Sequence, residues 1–141
     1  VTESIFCYPL GAYRILIESG IRSELITTTQ VYPIPFTPTW CAGLTSVRGD
    51  LCIVLDMHRI LLNGSLPPKT YFLWFKPEHY KEVVIGCDGL PTTIDYPSDD
   101  LAIDTPSTLP SWVQHVWQDE VGLILQVNHV RLFSLLCNQK R

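Results

Sequence analysis

Eleven prolines are scattered through the 141 residues, and they cut the chain into short apolar runs that leave no room for long helices. Proline has no amide hydrogen and its ring clashes with the preceding turn, so it ends or kinks a helix wherever it falls inside one. The runs between the breaks are rich in Val, Ile, Thr and aromatic residues, which suit a pleated, half-buried surface. Many short strands separated by turn residues point to small barrels or a sandwich. A helical bundle is excluded on this pattern, and no fixed period marks a repeat array.

The strands can be placed individually. Tyr13 to Ile17 reads as one, and Leu25 to Ile34 as a longer one ended by Pro33 and Pro35. Trp40 to Val47 and Leu51 to Leu55 read as a hairpin, because the three-residue link Arg48-Gly49-Asp50 carries a Gly suited to a tight reversal. Tyr71 to Phe75, Val83 to Cys87 and Thr92 to Tyr96 follow. Trp112 to Trp117 and Val121 to Val127 form a second candidate hairpin across Gln118-Asp119-Glu120. The odd separation of Trp112 and Trp117 turns them to opposite faces of a regular strand, so one is expected at the surface or at a subdomain boundary. Two stretches read as short helices. Met57 to Leu62 follows an apolar strand directly, with Asp56 as its cap. Val130 to Cys137 places Val130, Phe133, Leu136 and Cys137 on one face, with Asn128 as N-cap. A helix after each apolar strand hints at two similar halves. Residues 63–69 read as a linker, because two Pro and a Gly stop regular structure, and residues 97–110 as a long exposed acidic connection.

Charge and motif content then narrow the function. The length fits one domain or two small packed subdomains. Charged residues make up 17% of the chain, below the usual share of about 25%, which leaves neutral surface and favours protein binding. The net charge is −4, and the only adjacent basic residues are Lys140 and Arg141, so no phosphate-neutralising patch for nucleic acid is encoded. No apolar run is long enough to insert into a membrane. The N-terminus lacks the basic-then-apolar order of a signal peptide, and it lacks a starting Met, so residues are expected to precede Val1. Cys7, Cys41, Cys52, Cys87 and Cys137 are odd in number and widely spaced, which reads as buried reduced thiols in a cytoplasmic protein. His58, His79, His115 and His129 have no metal-ligand spacing, so neither a metal nor another cofactor is expected. Asp99, Asp100 and Asp104 read as a solvated loop. The hydrolase, phosphate-loop and zinc-protease motifs are absent. Asp56 and His58 are an acid–base pair only on paper, because residues two apart on a helix do not face each other. A thiol acting with a His is the remaining enzymatic option.

The stretch from Ile34 to Leu62 says most. Pro35 and Pro38 lead into Gly43-Leu44-Thr45-Ser46-Val47-Arg48-Gly49, then an apolar strand from Leu51 to Asp56-Met57 and a short helix. This pattern resembles the CheW family of chemotaxis coupling proteins. At lower specificity, residues 83–89 and 121–137 resemble that family's later strand with its turn, and its closing strand and helix. The chain departs from the family pattern at Ser46, Ile53 and His58, where Asn, Pro and Arg are usual. It is similar also to divergent CheW-like proteins of type IV pilus chemosensory systems, such as PilI.

The resemblance implies a mainly β fold, a single domain over residues 1–141 made of two packed, interleaved, five-stranded SH3-like β-barrels. Short helices would follow strands and close the chain. It also implies a non-enzymatic cytoplasmic adaptor for chemotaxis or twitching motility. Its partners would be the cytoplasmic hairpin tip of a methyl-accepting chemoreceptor and the regulatory domain of a CheA-type histidine kinase. Arg48 beside Gly49 is the first candidate contact, either donating to a partner's carboxylates and carbonyls or pairing internally with Asp50 or Asp56. Gly43 and Gly49 read mainly as backbone requirements. Leu25, Ile26, Ile34 and Leu44 would border a seam between barrels, where an apolar receptor helix docks, or else belong to ordinary core. Two rival readings remain, a self-assembling module without a receptor and a small oligonucleotide-binding barrel that would have to work without a basic stripe.

Overall fold

The computed structural model describes residues 3–26, 30–62, 71–78 and 81–137. In chain order the strands are β1 (Ser4–Leu10), β2 (Tyr13–Leu16), β3 (Arg22–Ile26), β4 (Cys41–Val47), β5 (Asp50–Leu55), β6 (Tyr71–Lys76), β7 (Val83–Cys87), β8 (Thr92–Asp95), β9 (Ala102–Ile103), β10 (Val113–Gln118) and β11 (Leu123–Val127). A π-helical turn (His58–Leu62) follows β5, a 3-10 turn (Asp99–Leu101) precedes β9, and α1 (His129–Cys137) follows β11. The chain divides into two compact units, one of residues 1–20 with 91–141 and the other of residues 21–90. Residues 63–69, expected as a linker, lie outside the described residues.

Each unit is built on one sheet with the same connectivity. In the second unit the order is β3-β6-β7-β5-β4, with β4–β5 and β6–β7 as antiparallel pairs joined through the parallel pair β5–β7. In the first the order is β8-β1-β2-β11-β10-β9, with β10–β11 and β1–β2 as antiparallel pairs joined through the parallel pair β11–β2. A helical turn follows the corresponding strand in both. The first unit is thus a circular permutation of the second, its β1–β2 hairpin placed at the start of the chain instead of the end. The two halves hinted at by the sequence are real, although the first unit has six strands where five were expected.

Chain reach forces both sheets to curl. Ile26 pairs with Phe72 at one edge of the second sheet, and Tyr32 bridges to Leu44 at the other. Six residues span at most about 20 Å. Five inter-strand steps across a flat sheet need about 24 Å. In the first unit Asp95 and Ala102 stand at opposite edges, and the intervening 3-10 turn, rising only about 2 Å per residue, shortens the link further. Inside the second curl pack Val47, Cys52, Val54, Phe72, Trp74 and Val84, with Ile26, Val31 and Ala42 against them. Inside the first pack Cys7, Leu16, Trp117 and Ile124, with Ile5, Ile94 and Leu101. The alternation of Cys52 with Val54 and of Phe72 with Trp74 is the period-two pattern of strands. β7 is buried at every position, as its unbroken apolar sequence predicts for a central strand with a parallel neighbour.

Several expectations need correction. Leu25 to Ile34 is not one strand, since β3 ends at Ile26 and Tyr32 makes only an isolated bridge. β1 was not expected, because Pro9 within it argues against a strand. Residues 97–110 are mostly exposed, but they also supply a 3-10 turn and β9. Neither Trp112 nor Trp117 reaches the surface, because Trp112 precedes β10 and a register shift between Val113 and His115 breaks the simple alternation. The caps are as read: Asp56 Oδ1 accepts the Arg59 amide at 3.1 Å, and Asn128 Oδ1 accepts the Arg131 amide at 3.0 Å.

Candidate functional site

The link between β4 and β5 is tighter than the sequence implied. Val47 pairs with Asp50, so only Arg48 and Gly49 form the loop, with φ of 51° and 86°. Two successive positive φ values characterise the type I′ hairpin turn, whose twist matches that of the strands it joins. Gly49 adopts such an angle freely, and a Cβ there would meet nothing within 4 Å, so the angle alone demands glycine. Arg48 holds its positive φ at a cost of about 1 kcal/mol. Gly43 answers a different need. A Cβ on it would lie 2.3 Å from the Tyr32 carbonyl oxygen. Its absence lets Tyr32 and Leu44 exchange backbone hydrogen bonds of 2.8 and 3.0 Å, which join the two edges of the sheet.

The Arg48 side chain closes the same gap from the other end. Its guanidinium pairs with Glu24 on β3 and lies 5.0 Å from the centroid of the Trp74 ring. Arg22 lies over the same ring at 5.4 Å and reaches Glu24 Oε1 at 3.4 Å. Trp74 itself is buried, while the Arg22 and Arg48 side chains are 63% and 59% exposed. The result is a rigid aromatic floor carrying two guanidinium groups that share one carboxylate. Neither Asp50 nor Asp56 is the partner of Arg48. Asp56 instead holds the π-helical turn and approaches Arg59 at 3.9 Å.

Other polar clusters serve the scaffold. Cys52 Sγ lies 3.4 Å from Glu82, which also pairs with Lys76 at 3.5 Å. Burial, with the Glu82 carboxylate beside it, pushes the Cys52 thiol up to about 11, so it stays protonated and is a poor nucleophile. His58 Nε2 lies 3.0 Å from both carboxylate oxygens of Asp88, not against Asp56. In the first unit the fully buried His129 meets Glu18 through Nδ1 and Tyr8 Oη at 2.8 Å through Nε2. The His129 amide also donates to Glu18 at 2.8 Å. Glu18, opposed by its own burial, is nevertheless held below its ordinary value by the hydrogen bond and charge of His129. Tyr8 and His129 are sealed from solvent, so this array fixes the start of α1 rather than offering a reactive group. No cluster of three or more metal-ligating side chains occurs among the described residues.

No family model matches the chain. Over 70 residues it is 31% identical to Protein FrzA of Myxococcus xanthus, a match covering 48% of this chain and 44% of that protein. The match thus spans less than half of the curated relative's length. The crystal structure of the scaffolding protein TtCheW from Thermoanaerobacter tengcongensis aligns with a TM-score of 0.72 and 15% identity, over 91% of this chain and 85% of that one. The chain has a CheW-like fold. At that identity the structural likeness is one of fold, and the FrzA match adds a sequence likeness over half of the chain.

Within this CheW-like fold the seven residues singled out from sequence do not form one patch. Gly43, Leu44, Arg48 and Gly49 sit together on the β4–β5 hairpin. Leu44 is half-buried and pairs across the hairpin with Ile53, on the face turned away from the core cluster. Leu25 is 42% exposed and faces the same way, whereas Ile26 faces the core cluster and packs on it. Ile34 is half-buried in the proline-rich loop, where its carbonyl accepts the Thr37 hydroxyl at 2.9 Å. Sequence reasoning missed Arg22 and Glu24, because nothing local links them to Arg48. It also missed exposed Leu51 and Phe36, the latter held at a φ of 65° between Pro35 and Pro38. An aromatic flanked by prolines in an uncharged stretch was the available signal for Phe36.

No helix among the described residues is long and apolar enough to cross a membrane.

Proposed function

We propose that this chain is a non-enzymatic adaptor that links the cytoplasmic tip of a chemoreceptor to the regulatory domain of a CheA-type histidine kinase. The observation that carries this reading is the Arg48 corner, an exposed guanidinium fixed by a two-residue turn and by stacking on Trp74. A preorganised Arg beside an aromatic is the kind of group that dominates protein interfaces. Beside it, outward-facing Leu44, Ile53 and exposed Leu51 offer an apolar strip suited to a receptor helix. The likeness to a scaffolding protein and to FrzA supports the same reading. A cytoplasmic location follows from these partners. The departures at Ser46, Ile53 and His58 set the chain apart from a standard flagellar array, and its output is chemotaxis or type IV pilus twitching.

The test is Arg48→Glu. The variant is expected to fold with a urea midpoint close to that of the parent, since exposed ion pairs contribute only about 0–1 kcal/mol. It should lose co-purification with the receptor tip, the kinase regulatory domain or both. Undiminished binding of both by the folded variant removes Arg48 from the interface, and failure of the parent chain to bind either partner removes the adaptor reading.

A further inference from the structure

We infer that Arg22 and Arg48, laid together over Trp74, form a receiving site for the carboxylate of an Asp or Glu side chain on a partner protein, and that Glu24 is the site's internal occupant in the free chain. The inference rests on the adaptor reading only in taking the carboxylate to come from a protein.

The stoichiometry of the cluster makes the first argument. Two guanidinium groups share one carboxylate, and Glu24 engages only an Nη2 of each. A guanidinium carries five N–H donors in a planar fork, so most of the donor capacity of both groups is left over. Among the described residues no other ion pair takes it up. Asp50, two positions beyond Arg48, pairs with neither, and Lys76 and Glu82 are already paired with each other. Geometry makes the second argument. Both guanidinium groups lie within 5.4 Å of the centroid of one buried ring. Attraction to the ring face holds a cation in place without consuming its N–H donors to a carboxylate. Ordering two long side chains before the partner arrives removes much of the entropy cost of binding.

Charge selects the ligand class. The chain carries a net −4 and has no basic run beside this pair. A polyanionic nucleic acid needs many phosphate contacts and finds two here. A single planar carboxylate matches the fork of one guanidinium bidentately and the spacing of two. Glu24 is 36% exposed and, among the described residues, its carboxylate pairs with these two arginines alone, so an incoming carboxylate can displace it. Glu24 thereby keeps the site weak unless the partner supplies further contacts, which suits an adaptor whose binding has to be reversible.

The experiment uses the full chain and follows the Nε–Hε signals of Arg22 and Arg48 by NMR. The added probes are acetyl-Glu-Glu-amide, acetyl-Gln-Gln-amide and inorganic phosphate. Both signals are expected to move with the acidic dipeptide and not with its neutral counterpart. Glu24→Gln should tighten that response about three-fold, the worth of one exposed ion pair. Arg22→Gln should weaken it by a similar factor, and Arg22→Lys, which keeps the charge but not the fork, should fall between. Three results overturn the inference: no response in the Glu24→Gln protein, a response at Arg48 that Arg22→Gln leaves unchanged, or phosphate binding as tightly as the dipeptide. A dipeptide response alongside failure to bind receptor and kinase refutes the adaptor reading and leaves the carboxylate site standing. Receptor or kinase binding without a dipeptide response does the reverse.

Discussion

Arg14 and Asp119 in the first unit and Arg48 and Glu24 in the second each brace the tip of the corresponding hairpin, but against different strands: Arg14 lies on β2, the parallel neighbour of β11, and Glu24 on β3, at the edge of the sheet opposite β4. Each pair joins the tip of a hairpin, β10–β11 or β4–β5, to a strand beyond that hairpin. They differ in what else they do. Asp119 accepts the amide hydrogens of Val121 and Gly122 at 2.9 and 3.1 Å, and Arg14 also reaches the Gly122 carbonyl at 3.5 Å. The Arg14 hydrogen bond holds Asp119 below its ordinary value. These side chains are 19% and 27% exposed, and their hydrogen bonds are turned back on the chain. The Arg48 pair is 59% and 36% exposed, is shared with Arg22, and ties down no turn amide. Both units carry an ion pair at the tip of this hairpin. The brace of the second unit is the more open to solvent, and it is the one proposed above to meet a partner. The same contrast separates the polar cores, where the first unit buries a complete Tyr8–His129–Glu18 array and the second leaves its cations at the rim.

The comparison can be broken first at Gly43. Gly43→Val drives a side chain into the Tyr32 carbonyl and should cost about 3 kcal/mol in urea unfolding. A cost near zero would mean that the Tyr32–Leu44 bridge does not hold the second sheet closed. Next in size, Tyr8→Phe strips the partner from a buried ring nitrogen and should cost about 2 kcal/mol. A neutral result would show that the array in the first unit is not a structural lock.

Glu18 supplies a pH test. Its value in the folded chain lies below its ordinary 4.5, so its contribution to stability is complete above that pH and is lost as pH falls through the lower folded value. Glu18→Gln should therefore destabilise more at about pH 6 than at about pH 3. Equal losses at both would remove the charge from the account. Asp119→Ala should cost about 1 kcal/mol, because one carboxylate serves both a turn and an ion pair. The smallest effect is expected for Arg48→Ala, within about 0.5 kcal/mol of the parent. If Arg48→Ala destabilised more than Asp119→Ala, the exposed brace would be the structural one and the assignment of roles would be reversed.

Features set by neighbours in sequence were legible beforehand. The β4–β5 hairpin, β7, and the caps Asp56 and Asn128 each depend on residues within a few positions, so composition and spacing revealed them. The need for glycine at 43 and 49 was legible too, though not that one answers a carbonyl and the other a backbone angle. β1 was concealed by Pro9, and the ladder shift before His115 by an apparently regular run. The partner of Arg48 was the main miss. Asp50 and Asp56 were near in sequence, but the carboxylate that closes on Arg48 stands 24 residues upstream, on a strand that only the curling of the sheet brings alongside.

The amino-acid sequence by itself determined a chain of short strands with two helical turns, a tight Arg-Gly corner, and a net charge of −4. These are local matters, settled by backbone sterics, side-chain alternation and the count of charges. Tertiary structure alone decided that the two halves share one connectivity in permuted order, and that Arg22, Glu24, Arg48 and Trp74 meet. Such a meeting depends on sheet closure, which is a property of pairing between distant segments and leaves no mark on the spacing of the residues it unites.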